Sequence, residues 1–125
     1  MILVDTSVWI DNFKAADPMF AQFSPEEPLL IHPFVLGEIA LGSFAQRAAL
    51  LKWLGKLTPA LQASHREVLG LIQSKQLFGI GIGYIDAHLI ASVQLTPGAR
   101  LWTRDKRLRA AAESVGAGII ADTRH

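Results

Sequence analysis

Short apolar runs, each too brief to be a buried helix, punctuate this chain and set its architecture. Ile2-Leu3-Val4, Leu29-Leu30-Ile31, Ala99-Arg100-Leu101-Trp102-Thr103 and Ile119-Ile120 are bounded by polar, Gly or Pro positions. Runs of this length read as strands, and continuous rather than alternating hydrophobicity reads as strands buried in a parallel sheet. Helical spacing fills the intervals. Val8 to Lys14 carries apolar Val8, Trp9, Ile10 and Phe13 behind a capping Thr6 or Ser7. Asp17-Pro18 starts a brief helix that stops near Ser24-Pro25. His32-Pro33 opens a helix holding Val35, Leu36, Glu38 and Ile39, and Gln46 to Leu54 forms another. Thr58-Pro59 marks a connection, and Ser64-His65-Arg66-Glu67 fits a capping box ahead of Val68, Leu69 and Ile72. Tyr84 to Leu95 and Leu108 to Val115 complete the set. Strands alternating with helices predict an α/β fold with right-handed parallel crossovers. The stretch from Pro33 to Leu77 is nearly all helical and reads as an insertion or arm on the sheet, too thin to bury a core of its own.

The 125 residues suit one domain. There is no Cys, which removes thiolate ligands and redox switching and permits a reducing compartment. The start MILVDTSVW reads as a core strand rather than a signal peptide, and no window resembles a membrane span. A cytoplasmic protein is expected. The net charge of +1 is too small to imply nucleic acid, but Arg100, Arg104, Lys106, Arg107 and Arg109 crowd around the single acid Asp105. That cluster reads either as a phosphate-facing rim beside an acidic pocket or as a solvated helix face.

Four acids lie at the ends of apolar segments: Asp5, Glu38, Asp86 and Asp105. Burying any one alone would cost several kcal/mol. Each also has a local reading. Asp5 can cap the turn after the first strand, Glu38 can be an exposed helix residue, and Asp86 and Asp105 can serve helix starts. As a set they stand where an α/β fold places chemistry. Carboxylates that converge repel one another unless a cation compensates, which points to a divalent-metal site. Thr6, Ser7 and Thr103 are hydroxyls able to support such a cluster or to make turn hydrogen bonds. His32, His65, His88 and His125 lack a zinc-ligand spacing. Gly79, Gly81 and Gly83 form an irregular turn or helix start and not a phosphate cradle, since no Lys-Ser/Thr follows.

Four segments together resemble PIN-domain nucleases, in particular the VapC-type ribonuclease toxins of bacterial toxin–antitoxin pairs. They are Val4-Asp5-Thr6-Ser7-Val8-Trp9-Ile10, Gly37-Glu38-Ile39, Ile85-Asp86-Ala87-His88-Leu89-Ile90-Ala91 and Leu101-Trp102-Thr103-Arg104-Asp105-Lys106-Arg107-Leu108. The resemblance implies a single PIN-like three-layer α/β/α domain over residues 1–125, with a central parallel sheet of four or five short strands and a helical arm. It implies that Asp5, Glu38, Asp86 and Asp105 hold Mg²⁺ or Mn²⁺, with Thr6 and Thr103 as supporting hydroxyls. The expected activity is metal-dependent hydrolysis of RNA, with Arg104, Lys106 and Arg107 contacting its phosphates. Expected partners are an antitoxin covering the active-site groove and a second copy of the chain in a homodimer. The alternative is a catalytically weak PIN-fold regulatory module that acts through a protein partner. A small phosphatase of another α/β fold is disfavoured, because Asp5-Thr6-Ser7 supplies no Asp-x-Asp nucleophile signature.

Overall fold

A computed structural model describes residues 1–14 and 26–122, so the helix expected from Asp17-Pro18 and the last histidine, His125, fall outside the described residues. The described elements are β1 (Ile2–Val4), α1 (Thr6–Lys14), β2 (Leu29–Ile31), α2 (Pro33–Ala40), α3 (Arg47–Leu54), β3 (Thr58–Pro59), α4 (His65–Ser74), α5 (Tyr84–Leu95), β4 (Arg100–Trp102) and α6 (Lys106–Ser114). The strands form one four-stranded sheet in the order β3-β2-β1-β4, and every pairing is parallel. Helices flank the sheet to give the three-layer α/β/α architecture. No helix among the described residues is long and apolar enough to cross a membrane.

The central strand β1 is wholly buried, with Ile2, Leu3 and Val4 at 0% exposure. Its run carries no polar residue because both faces meet apolar neighbours. Parallel pairing sends all strand C-termini to one edge, which sets Asp5 beside the residues that follow β4. Asp5 N–H donates to Trp102 O at 2.9 Å, so the first acid is tied to the end of β4.

Three expectations need correction. Thr58-Pro59 is not a simple connection but a two-residue edge strand paired with β2. Proline is tolerated there because an edge strand leaves one side of its backbone unpaired. The stretch from 33 to 77 is therefore not continuously helical. Nor is all of it an appendage: Val35 and Ile39 of α2 and Leu54 of α3 are fully buried in the main core. Only α4 keeps a satellite cluster, where Val68 and Ala63 pack on Ala87 and Ala91 of α5. Finally, Ile119-Ile120 is reduced to one parallel bridge, Leu101 with Ile119, beside β4. A side chain at Gly118 would put its Cβ 2.9 Å from Ala99 O, so glycine is what lets this segment approach β4.

Two helix starts follow the sequence signals. Ser64 Oγ accepts from Glu67 N–H at 3.1 Å while Glu67 Oε1 accepts from Ser64 N–H at 2.9 Å, a complete capping box. His32 caps α2 by accepting from Phe34 N–H through Nδ1 at 3.0 Å. The helix α1 begins at Thr6, two residues ahead of Val8, with Asp5 in the capping position.

Candidate active site

The four acids reach the same edge of the sheet by two routes. Asp5 and Asp105 follow β1 and β4, whereas Glu38 and Asp86 ride on α2 and α5. Asp5 is 6% exposed and is the most heavily bonded of the four. Its Oδ1 accepts from Thr6 N–H at 2.8 Å, and its Oδ2 accepts from Ser7 Oγ at 2.9 Å and Thr103 Oγ1 at 2.7 Å. Asp105 caps α6, its Oδ1 accepting from the N–H groups of Arg107 at 2.9 Å and Leu108 at 3.1 Å. Asp86 Oδ2 accepts from Gly83 N–H at 2.9 Å at the start of α5, and Glu38 Oε1 accepts from Thr6 Oγ1 at 2.8 Å. The local roles weighed for Asp5, Asp86 and Asp105 are thus real.

These local bonds do not use up the carboxylates. Asp86 Oδ1, Asp105 Oδ2 and Glu38 Oε2 accept no hydrogen bond among the described residues. Asp5 Oδ1 has a further lone pair beyond the one facing Thr6. The acids also act on one another. Burial pushes the Asp86 carboxyl above its ordinary value, the Gly83 N–H works against that, and the charges of Asp5, Asp105 and Glu38 push it further up. Asp5, Asp105 and Glu38 are therefore near enough to add to the Asp86 shift. Hard oxygen donors with spare lone pairs and mutual repulsion suit Mg²⁺ or Mn²⁺ better than zinc. Among the described residues, however, no three acidic or histidine side chains stand close enough to form a ready-made cage. Each acid accepts from a backbone or hydroxyl donor.

The basic cluster divides into separate environments. Lys106 and Arg107 are exposed at the start of α6. Arg107 lies across the turn before α5, where its Nη1 is 2.8 Å from the position a Cβ on Gly81 would take. Gly81 has φ of +86°, so both its backbone conformation and this contact favour glycine. Arg104 departs from the expectation of a phosphate-facing side chain. It is 5% exposed, its Nε donates to Asp122 Oδ2 at 2.7 Å, and its Nη1 donates to Asp11 Oδ2 at 3.0 Å. Arg100, at the far end of β4, pairs with Glu27 at 3.4 Å.

Asp11 and Asp122 had no assigned role in the sequence reading. A signal for Asp122 was present: the buried Trp102 indole N–H needs an acceptor, and Asp122 Oδ2 accepts it at 2.7 Å. His32, Phe34, His88 and Tyr84 form a ring cluster, with Phe34–His88 and Tyr84–His88 centroids both 4.7 Å apart. Burial, with the neighbouring His88, lowers the His32 pKa to about 4, and burial also lowers that of His88. Both imidazoles are therefore neutral core residues near neutral pH.

The fold has counterparts among solved structures. The chain is similar to VapBC-1 from nontypeable Haemophilus influenzae, with a TM-score of 0.66 and 18% identity over 96% of this chain and 97% of that one. It is also similar to FitAcB from Neisseria gonorrhoeae, with a TM-score of 0.62 and 18% identity over 97% of each chain. At that identity the likeness is one of fold, and the fold is the PIN-like α/β class. Sequence carries the assignment further, although no protein-family model matches the chain. Ribonuclease VapC32 of Mycobacterium tuberculosis is 46% identical over 122 residues, which span 98% of this chain and 98% of that protein. This chain belongs to the VapC-type family of PIN-domain toxin ribonucleases.

Proposed function

We propose that this chain is a divalent-metal-dependent endoribonuclease, a single PIN-like domain that acts as the cytoplasmic toxin of a toxin–antitoxin pair. The observation that carries the reading is the 46% identity to ribonuclease VapC32 along 98% of both chains, and it is supported by the Asp86 carboxyl, which is raised first by burial and then by the charges of Asp5, Asp105 and Glu38. Such crowding of charge is costly unless a cation uses it. The residues present fit Mg²⁺ or Mn²⁺, with Asp5 and Asp105 as direct ligands, Asp86 direct or through water, and Glu38 holding the attacking water. When bound, the ion supplies Lewis-acid activation of that water and neutralises charge developing at the phosphate. Thr103 orients Asp5 and meets the Asp105 backbone, and Thr6 orients Glu38. Lys106 and Arg107 position the RNA strand through its phosphates. Arg104 leaves that set because its guanidinium is committed to Asp11 and Asp122. Water as the nucleophile gives products with a 5′-phosphate and a 3′-hydroxyl.

The antitoxin covers the active-site groove, and an apolar groove away from the acids extends its seat. A groove of about 600 Å³ runs past Ile10, Phe13, Phe44, Ala49 and Leu50, and none of the four acids lines it. Beyond it Leu41 is 89% exposed and Trp53 50%, which adds apolar area for a partner segment. Exposed Leu61, Leu69 and Phe78 offer apolar area for a second copy in a homodimer.

Cleavage of a structured RNA with Mg²⁺, Mn²⁺ or excess chelator tests the activity directly. Full activity in chelator, or in folded Asp5→Asn, removes the mechanism. The second reading, a catalytically weak PIN-fold regulatory module, is favoured by the lack of a ready-made three-ligand cage among the described residues. Calorimetry with Mn²⁺ that gives no heat, alongside intact antitoxin binding, would select it.

A further inference from the structure

Both hydroxyls on Asp5 are wired in the same way. Thr103 Oγ1 accepts from Asp105 N–H at 3.0 Å and donates to Asp5 Oδ2 at 2.7 Å. Ser7 Oγ accepts from Arg104 N–H at 3.1 Å and donates to Asp5 Oδ2 at 2.9 Å. A hydroxyl has a single hydrogen, so a backbone N–H filling its acceptor side turns that hydrogen toward the carboxylate. The direction of both donors is thereby set by two consecutive peptide groups, those of Arg104 and Asp105. The Arg104 side chain between those peptides is buried. It is gripped from one side by Asp122 and from the other by Asp11 of α1, and it lies 5.7 Å from the centroid of the Trp102 ring. Asp122 Oδ2 also accepts from the Trp102 indole, so one oxygen holds residues on both sides of Thr103.

We propose that Asp122 is a positioning residue for Asp5, acting through Arg104 and Ser7. The proposal rests on the reading of Asp5 as a metal ligand. With Oδ2 taken by two hydroxyl donors and Oδ1 by the single Thr6 N–H, Oδ1 is the oxygen that would be left for a cation, and the Asp122 clamp would set how tightly the carboxylate is held. A carboxylate in the segment after the β-bridge at Ile119 thus shapes a site formed by residues far away in sequence.

The test uses the full chain, with the fold checked by circular dichroism and thermal melting, and Mn²⁺ binding read by electron paramagnetic resonance. Asp122→Ala and Ser7→Ala should each weaken Mn²⁺ binding roughly 10-fold, the scale of outer-shell losses at metal sites. Asp122→Asn, which keeps an acceptor, and Ser7→Thr, which keeps the hydroxyl, should recover most of the affinity. The double variant Ser7→Ala/Asp122→Ala should bind no worse than the weaker single one, because both cut the same path. In RNA cleavage the loss should fall on kcat at saturating RNA with little change in KM. Wild-type Mn²⁺ affinity in folded Asp122→Ala, or losses that multiply in the double variant, would overturn the proposal. Should Asp122→Ala not fold, wild-type affinity in Ser7→Ala overturns it equally. Asp5→Asn separates the two levels: Mn²⁺ binding unchanged in that variant refutes the metal-site reading itself and this inference with it.

Discussion

The acids carried by strands and the acids carried by helices are held in different ways. Asp5 and Asp105 sit at adjacent strand ends, joined by Thr103, which bonds the Asp5 carboxylate and the Asp105 backbone at once. The β1–β4 ladder and the buried Arg104 leave that pair little freedom. Glu38 is exposed on α2 and, among the described residues, accepts one side-chain bond, from the Thr6 hydroxyl. Among the described residues, Asp86 is held at its own helix start, by Gly83 N–H. One half of the site is built into the sheet and the other half is brought to it by helices. Under the proposed metal site, the strand half would fix the position of a cation and the helix half would adjust to it and to the substrate.

Substitutions can break that division. The largest effect is expected from Asp5→Asn, which should cut RNA cleavage by roughly 10³-fold while the protein still melts cooperatively. Glu38→Gln should cost less, roughly 10- to 100-fold, because that side chain acts from an exposed, singly tethered position. Equal losses in the two variants, measured as kcat/KM on one RNA, would erase the proposed distinction.

Asp86→Asn probes the helix half through stability as well as rate. Activity should fall roughly 100-fold. The native Asp86 pKa is raised, so the metal-free native state holds this proton more tightly than the unfolded chain does. Stability of the metal-free protein is therefore lost as pH climbs from the ordinary carboxylate range through the raised value. Asn removes that loss. In chelator at neutral pH the variant should melt above the wild type, and the gap should close at a pH below the ordinary carboxylate value. A variant that melts lower at neutral pH would show that Asp86 is held by favourable contacts and not by a repulsive pocket.

The two threonines sharpen the comparison further. Thr103→Val removes a buried donor to Asp5 and leaves the Asp105 N–H without its acceptor, a cost of about 1–3 kcal/mol. Activity should drop roughly 10- to 100-fold with it. Thr6→Val frees Glu38 alone and should cost less than about 10-fold, with stability nearly unchanged because the bond is exposed. A larger loss in Thr6→Val than in Thr103→Val would invert the assignment of rigid and adjustable halves.

How far the sequence revealed this depended on how local each signal was. Ile2-Leu3-Val4 and Leu29-Leu30-Ile31 could be read as strands because an unbroken apolar run has few other uses in a chain this size. The Ser64 box and the Asp105 cap were legible because their partners lie within three residues. Thr58-Pro59 was not legible as β3: two exposed edge residues carry no periodicity, and proline argues against a strand. Arg104 was misplaced on the rim for a different reason. Its acidic partners Asp11 and Asp122 are 93 and 18 residues away, and no spacing rule links them. The four acids were visible as candidates, but that the charges of Asp5, Asp105 and Glu38 reach Asp86 depends on the fold and not on any spacing.

The end of β2 supplies the mildest test and the closest contrast. Where β1 and β4 are followed closely by acids, β2 is followed by His32, fully buried and packed against Phe34 and His88. A strand end here holds a neutral polar group, and the helices laid over it keep water out. Its pKa falls from 6.5 to about 4 on folding, so the unfolded chain takes up this proton first. Stability tied to His32 is complete above pH 6.5 and is lost as pH falls toward 4. Between pH 7 and 5 that loss is about 2 kcal/mol. His32→Asn keeps a side-chain acceptor for Phe34 N–H but does not titrate. Urea unfolding at both pH values should show the variant starting from a lower stability, since a buried ring has been trimmed, yet losing less of it on acidification. RNA cleavage at pH 7 should barely change. If wild type and variant lose stability in parallel, His32 is not the acid-labile point, and the contrast between charged and neutral strand ends has no thermodynamic consequence.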